Sequence, residues 1–238
     1  MNASKRVVLV TGASGFLGKH MVRALAASSW AVRAAARDPT AIPEAAGVER
    51  VALPDLARNA DCAPLVDGAT HILHLAGIAH APGHLPEDVY NRINRDVVGE
   101  LAGAARGCVE RFVLMSTVRA QAGLAADHVI TEADPPLPTD AYGRSKLEAE
   151  QLLAGSGVPF SVLRPAVVYG RGVKGNIASL ATLAQTPMPL PFGGLDNRRS
   201  LLAIDNLASA IELALTSLKA EGEMFLVADS EPISVADL

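Results

Sequence analysis

The chain has 238 residues, half of them hydrophobic and 19% charged, with a formal net charge of −4. That length can bury one α/β core with at most a small appended lobe, and the apolar content excludes a disordered chain. The mild acidity, with no block of Lys and Arg, argues against a nucleic-acid surface. Two cysteines, Cys62 and Cys108, are too few for a disulfide framework, and their apolar company predicts buried free thiols. Met1 to Arg6 is polar, without a signal-peptide layout, and no stretch reaches the roughly 18 uncharged apolar residues of a membrane helix. A soluble, cytoplasmic protein is expected.

In chain order, Val7 to Val10 is a continuous apolar run closed by a glycine turn, which predicts a buried parallel strand. Phe16 to Ala27 carries apolar residues at helical spacing. Ala31 to Ala36, Val48 to Leu53 and His71 to Leu75 read as strands two to four, and Glu87 to Ala105 as one long amphipathic helix. Arg111 to Met115 is the fifth strand. Pro135-Pro136-Leu137-Pro138 forces an extended approach, after which Asp140 offers an N-cap for a helix from Ala141 to about Ala154. Phe160 to Leu163 is a strand stopped by Arg164-Pro165, Asp205 to Leu218 a helix, and Met224 to Val227 a last strand.

Strands alternating with helices predict a Rossmann-type, doubly wound parallel α/β sheet. After Gly170 the rhythm changes, so residues 1–170 read as a dinucleotide-binding domain. Residues 171–238 read as elements of a small substrate lobe interleaved with the last helix and strand of the sheet. At the end, Ser234-Val235-Ala236-Asp237 resembles a helix start with nowhere to go before Leu238, which predicts a missing C-terminal segment.

Gly12, Gly15 and Gly18 sit between the first strand and the first helix. Lacking Cβ atoms, they let the backbone turn tightly and bring N–H groups of Ser14, Gly15, Phe16 and Leu17 toward a diphosphate at the helix N-terminus. The end of strand two decides the adenosine ribose. An NAD site usually places Asp or Glu there, but this strand ends at Ala36 and is followed by Arg37, whose guanidinium suits a 2′-phosphate. The expectation is NADP in preference to NAD. Asp38 remains an alternative ribose ligand if the register slips.

Downstream, Tyr142-Gly143-Arg144-Ser145-Lys146 puts a phenol and an ammonium one helical turn apart on the same face. With Thr11-Gly12-x-x-Gly15-x-x-Gly18, Asp55-Leu56, His74-Leu75-Ala76-Gly77, Asn94, Ser116-Thr117, Arg164-Pro165, Val168-Tyr169-Gly170, Arg199 and Asp205, the chain resembles an extended short-chain dehydrogenase/reductase of the nucleotide-sugar epimerase/dehydratase family. Its flavour is that of 4-epimerases and 4-ketosugar reductases.

The resemblance implies that Asp55 and Leu56 lie against the adenine, that Leu75, Ala76 and Gly77 line the nicotinamide side with Pro165 and Val168, and that Asn94 supports the site from the long helix. Asn94 could equally satisfy buried backbone groups, and His74 reads as a core histidine at a strand end. Tyr142 is expected as general acid/base, its pKa pulled down by Lys146 together with the nicotinamide, and Lys146 as a ligand of the nicotinamide ribose. A hydroxyl after strand five completes the set, Thr117 first and Ser116 second. Dehydratases commonly carry Asp-Glu just beyond that hydroxyl; Val118 and Arg119 stand there instead. Asn176 and Arg199 resemble the family's contacts to a sugar diphosphate, with Arg198 undecided, which implies a nucleoside-diphosphate sugar, UDP-linked. The family's homodimer would form through the helices at Glu87–Ala105 and Ala141–Ala154. The competing expectation is a non-catalytic NADP-binding sensor or scaffold.

Overall fold

The computed structural model describes residues 6–58, 61–79, 85–173, 179, 182 and 197–234. Seven parallel strands form the main sheet: β1 (Val7–Thr11), β2 (Ala31–Ala36), β3 (Val48–Ala52), β4 (His71–His74), β5 (Arg111–Met115), β6 (Phe160–Pro165) and, from late in the chain, β10 (Met224–Val227). Their spatial order is β10-β6-β5-β4-β1-β2-β3. Between β4 and β1 the direction of winding reverses, and open α/β sheets bind ligands in the crevice outside the carboxyl ends of such a pair. Thr11 and His74 face each other in register at that point.

Alternation along the strands divides the apolar side chains between two faces. Val8 and Val10 of β1 and Val113 and Met115 of β5 pack with α1 (Phe16–Ala27) through Met21, Val22 and Leu25, and with the C-terminal helix Ile204–Thr216 through Leu207 and Ile211. Leu9, Phe112 and Leu114 face the other way, against Val97 and Leu101 of one helix and Ala149 and Leu153 of another. Both faces are covered, which is why the strands are nearly unbroken apolar runs.

The strands match their sequence ranges within a residue or two. β6 continues through Arg164 and Pro165, because Leu226 and Val227 of β10 pair beside them and the Arg164 side chain finds partners inside. The long helix is not uniform. It runs as α3 (Glu87–Tyr90), a π-helical turn (Asn91–Asp96) and α4 (Val97–Ala105). Short helices α2 (Ala63–Val66) and α5 (Val118–Gln121), the longer α6 (Ala141–Ala154) and α7 (Ile204–Thr216), and 3-10 turns at Pro39–Ala41 and Leu218–Ala220 are among the other helical elements.

Two small ribbons lie outside the main sheet. β7 (Val167–Tyr169) pairs with β9 (Leu201–Ala203), and β8 (Arg198–Arg199) pairs with β11 (Ile233–Ser234). Ser234, read from sequence as a helix cap, is thus in a strand, and residues 235–238 lie outside the described residues. Strand β10 is an edge of the main sheet, and the backbone N–H of Leu226 on it donates to the Glu132 carboxylate at 2.9 Å.

Cys62 is buried as expected, and burial pushes its thiol up to about 11. Cys108 is exposed, contrary to expectation: it follows Gly107, which turns the chain out of α4 with φ +73°, and apolar neighbours in sequence do not bury a turn residue. Among the described residues no helix is long and apolar enough to cross a membrane.

Candidate active site at the carboxyl edge of the sheet

The glycine segment follows β1 directly. Gly12 has φ +68°, a conformation open to glycine, and a Cβ there would stand 2.8 Å from the Ala76 nitrogen after β4. A Cβ on Gly18 would come within 2.7 Å of the Ala13 Cα, so α1 can seat against the loop only because that position is bare. Gly15 is exposed at the helix start, with Ser14, Phe16 and Leu17 half-buried around it. The result is a shallow cradle of backbone N–H groups at a helix N-terminus, which fits a dinucleotide diphosphate.

Thr11 and His74 close the floor of this cradle. The Thr11 Oγ lies 2.9 Å from the His74 Nδ1 and accepts the Ala76 N–H at 3.2 Å. His74 is fully buried, and its Nε2 has no hydrogen-bond partner among the described residues. Burial, with the Lys146 charge adding to it, pushes its pKa down to about 3. It therefore stays neutral, as the core histidine the sequence suggests. Its neutrality carries a pH signature. The folded pKa is depressed, so the stability His74 contributes is complete above about 6.5 and is lost progressively as pH falls toward 3. Going from pH 7 to pH 5 should remove about 2 kcal/mol through this group. Urea unfolding of the parent and H74N at the two pH values checks this: the variant should lose less by about that amount.

Arg37 is exposed immediately beyond β2. Asp38, its rival for the ribose, is engaged locally: its carboxylate accepts the Thr40 N–H at 2.9 Å and the Thr40 hydroxyl at 2.6 Å, which holds its pKa low. After β3, Asp55 is exposed and accepts the Ala57 N–H at 3.1 Å, while Leu56 is buried. Leu75, Ala76 and Gly77 leave β4; Pro165 is buried at the end of β6 and Val168 half-buried beyond it. All of these lie at or beyond the carboxyl ends of main-sheet strands, one rim of the sheet.

Asn94 is buried in the π-helical turn. Its Oδ1 accepts the Ile78 N–H at 2.8 Å, and its Nδ2 donates to the Ile78 carbonyl at 3.1 Å and to the Ser145 hydroxyl at 3.1 Å. It ties the loop after β4 to the helix that carries Tyr142 and Lys146. The sequence left Asn94 between site support and backbone satisfaction, and its bonds to the Ile78 N–H and carbonyl are of the second kind. A Cβ on Gly77 would meet its Oδ1 at 2.8 Å, so this glycine is what lets the amide in.

Helix α6 starts on Asp140, whose Oδ1 accepts the Gly143 N–H at 2.8 Å. The Thr117 side chain bears on the Tyr142 phenol and acts to lower its pKa, and Lys146 is buried one turn later. Ser116 is otherwise engaged: its hydroxyl donates to Glu150 inside the protein. Of the two hydroxyls weighed from sequence, Thr117 is therefore the one at the phenol. Burial raises the Tyr142 pKa, against which Thr117 and the Arg119 charge act; Asp140 and Tyr90 push it further up. Among the protein's own charges it is thus Arg119, rather than Lys146, that pulls the phenol down most. Lys146 itself is pushed down to about 8 by burial, with Glu150 partly restoring it.

Behind these residues lies a buried polar network that the sequence reading missed. The Arg164 Nε donates to the Glu150 Oε1 at 3.0 Å and Oε2 at 3.2 Å, its Nη2 to the Oε2 at 2.5 Å, and its Nη1 to the Gln121 Oε1. Gln121 in turn donates to the carbonyls of Thr131, at 3.1 Å, and Asp134. No local motif announces it, since the partners come from α5, α6 and β6; the signal available was an arginine in a mostly apolar strand.

The candidate substrate contacts are less gathered. Asn176 lies outside the described residues. Arg199 is exposed in β8, paired with Ile233, and Arg198 beside it donates to the Pro232 carbonyl at 3.5 Å. A cavity of about 390 Å³ lined by Val7, Ala31, Arg33, Gly47, Glu49 and Gly68 opens at the opposite, amino edge of the sheet and touches none of the residues above. Among the described residues no cluster of His, Cys, Asp and Glu could hold a metal ion.

The model of a family described as the NAD dependent epimerase/dehydratase family matches residues 8–228. A UDP-glucose 4-epimerase of Vibrio cholerae is 32% identical over 242 residues, covering 97% of this chain and 73% of its own length. A ceramide reductase of Caulobacter vibrioides is 29% identical over 209 residues, covering 87% of this chain and 60% of its own. Among solved structures, MoeE5 in complex with UDP-glucose and NAD superposes with a TM-score of 0.79 at 27% identity, over 97% of this chain and 78% of MoeE5.

Proposed function

The chain belongs to the NAD dependent epimerase/dehydratase family, and from that premise we propose that it is an oxidoreductase or isomerase acting at C4 of a nucleoside-diphosphate sugar, UDP-linked. The observation that carries the reading is Tyr142, with the Thr117 side chain bearing on its phenol, one helical turn before a buried Lys146 and on the same rim as the glycine cradle. A nicotinamide dinucleotide would supply the hydride chemistry when bound. The chain's own part is to hold and move a proton. Tyr142 gives it to, or takes it from, the oxygen at the reacting carbon, and Thr117 hydrogen-bonds that oxygen. Lys146 holds the nicotinamide ribose hydroxyls. Gly12, Ser14, Gly15, Phe16, Leu17 and Gly18 hold the diphosphate. Asp55, Leu56, Leu75, Ala76, Gly77, Pro165 and Val168 shape the adenine and nicotinamide ends, and Asn94 keeps the β4 loop and α6 in place. Asn176 and Arg199 are assigned to the sugar diphosphate.

The dinucleotide is assigned as NADP in preference to NAD, on an exposed Arg37 where an acidic residue is wanted for NAD and on Asp38 being engaged by Thr40. Replacing Arg37 by Ala should weaken NADPH binding by about 10–100-fold, the worth of one or two charge-assisted hydrogen bonds, and leave NADH nearly unchanged. Fluorescence titration with both dinucleotides reads the difference. An exchanging NADPH suits a 4-ketoreductase better than a 4-epimerase. The test is to incubate the protein with a UDP-hexose, first without added dinucleotide and then with NADPH and a 4-keto substrate: turnover without addition supports epimerisation, oxidation of NADPH supports reduction, and neither overturns the proposal. A homodimer through the α3–α4 and α6 helices is part of the same reading, supported by the exposed Leu152 of α6 beside Gly99 of α4, and is read by light scattering.

A second reading is favoured by one observation. Leu124, Val129 and Leu137, between α5 and α6, are all exposed, and the relative from Caulobacter vibrioides is a ceramide reductase. On that reading the same Tyr142 and Lys146 would serve an apolar ketone, and NADPH oxidation by a long-chain ketone but not by a 4-ketosugar would select it.

A further inference from the structure

Tyr142 sits between charges that its own helix does not supply. The Arg119 guanidinium carbon lies 5.3 Å from the Tyr142 ring centroid, within cation–π range. The same guanidinium is fixed from behind, its Nε and Nη2 donating to the Asp140 Oδ2 at 3.0 and 2.6 Å. Asp140 spends its other oxygen on the Gly143 N–H, so one carboxylate both starts α6 and anchors the cation lying over that helix's first aromatic ring. The backbone takes part as well. The Arg119 N–H donates to the Thr117 Oγ at 3.2 Å, and the Arg119 carbonyl occupies the space that a side chain at position 143 would need. Gly143 being bare is what allows α5 and α6 to meet this closely.

We infer that Arg119 is a positioning residue for Tyr142: clamped by Asp140 and laid over the phenol ring, it fixes where the ring lies and presents the positive charge that favours the phenolate. This rests on Tyr142 being the acid/base of the proposed reaction. The groups facing Tyr142 are few and come from every element packed on it: Arg119 on α5, the Thr117 hydroxyl before α5, Asp140 at the α6 cap and Tyr90 of α3, whose ring centroid is 6.4 Å away. Of these only Arg119 is a cation. A half-buried phenol facing a carboxylate and a second phenol, with no cation beside it, would hold its proton too tightly to exchange it near neutrality. The role does not depend on Arg119 touching substrate.

The experiment separates this from the catalytic reading. The chain has three tyrosines, so protein labelled with 13C at tyrosine Cζ gives three resonances, and the Tyr142 signal is the one missing in Tyr142→Phe. Its titration is followed in the parent, Arg119→Gln and Arg119→Lys. In Arg119→Gln the midpoint should move up by about one pH unit, a tenfold tighter hold on the proton. Arg119→Lys, which keeps the charge but not the fork on Asp140, should fall between the two. The limb of the kcat/KM profile that reports Tyr142 should move with the midpoint. Parent and Arg119→Gln curves that coincide, with both proteins folded by circular dichroism, overturn the inference; so does Arg119→Lys displaced as far as Arg119→Gln, which would make the effect one of packing. A shifted midpoint in a protein that turns over none of the substrates leaves this inference standing and removes the functional reading.

Discussion

Tyr142→Phe is expected to lower turnover by about a thousandfold while dinucleotide affinity changes by less than about threefold. The substitution deletes one oxygen. The ring that remains keeps its place under Arg119 and beside Tyr90, at 5.3 and 6.4 Å, and the α6 cap on Asp140 is untouched. What disappears is the group able to exchange a proton with the substrate oxygen. A loss confined to kcat is the signature of an interaction made in the transition state, so steady-state rates paired with a fluorescence titration of the dinucleotide give the answer directly. Turnover within threefold of the parent would remove Tyr142 from the chemistry.

Glu150→Gln should destabilise the fold by about 3–5 kcal/mol, the range for breaking a buried ion pair from one side. Arg164 and Glu150 are both nearly inaccessible, and the guanidinium is already engaged on the Gln121 Oε1 as well as on both carboxylate oxygens. Once the carboxylate is neutral, a full positive charge stays in the interior with no counter-charge. Arg164→Met should cost a similar amount by stranding the anion. The double substitution Glu150→Met, Arg164→Met should cost less than the sum, because neither member of the ion pair is left as an uncompensated buried charge, although the Ser116 hydroxyl and the Gln121 Oε1 each lose a partner. Urea unfolding of the four proteins measures the coupling; additive losses would show that the pair acts as two independent residues. Lys146 gives the same experiment a second readout. The Glu150 charge raises its pKa, so the ammonium should become still easier to deprotonate in Glu150→Gln.

The parallel strands were legible because burial on both faces leaves unbroken apolar runs, as in Val7–Val10 and Phe112–Met115, and the start of α6 because Pro135–Pro138 and Asp140 announce it. The glycine segment was legible because the turn at Gly12 and the close seat of Gly18 demand that residue type. Other features were not readable, since they are made by residues far apart in sequence. Arg119 and Asp140 are separated by the whole segment that wanders between α5 and α6, and only the folded chain lays one across the ring that follows the other. The π-helical turn has no composition of its own, yet it is what carries Asn94 onto the Ile78 backbone. The exposure of Cys108 depends on a positive φ at Gly107, which apolar neighbours in the sequence conceal.

The carboxylate of Glu132 against Leu226 has a bearing on how copies of this protein meet. An unprotected border strand is a template onto which a free peptide or another molecule can be zipped, main chain to main chain. Here one of the sticky amides on that border is already occupied by an anion reaching in from a distant stretch of the chain. An incoming strand would have to evict it and would gain only an exchange of one acceptor for another. On that flank the Leu226 amide is not open to a pairing strand.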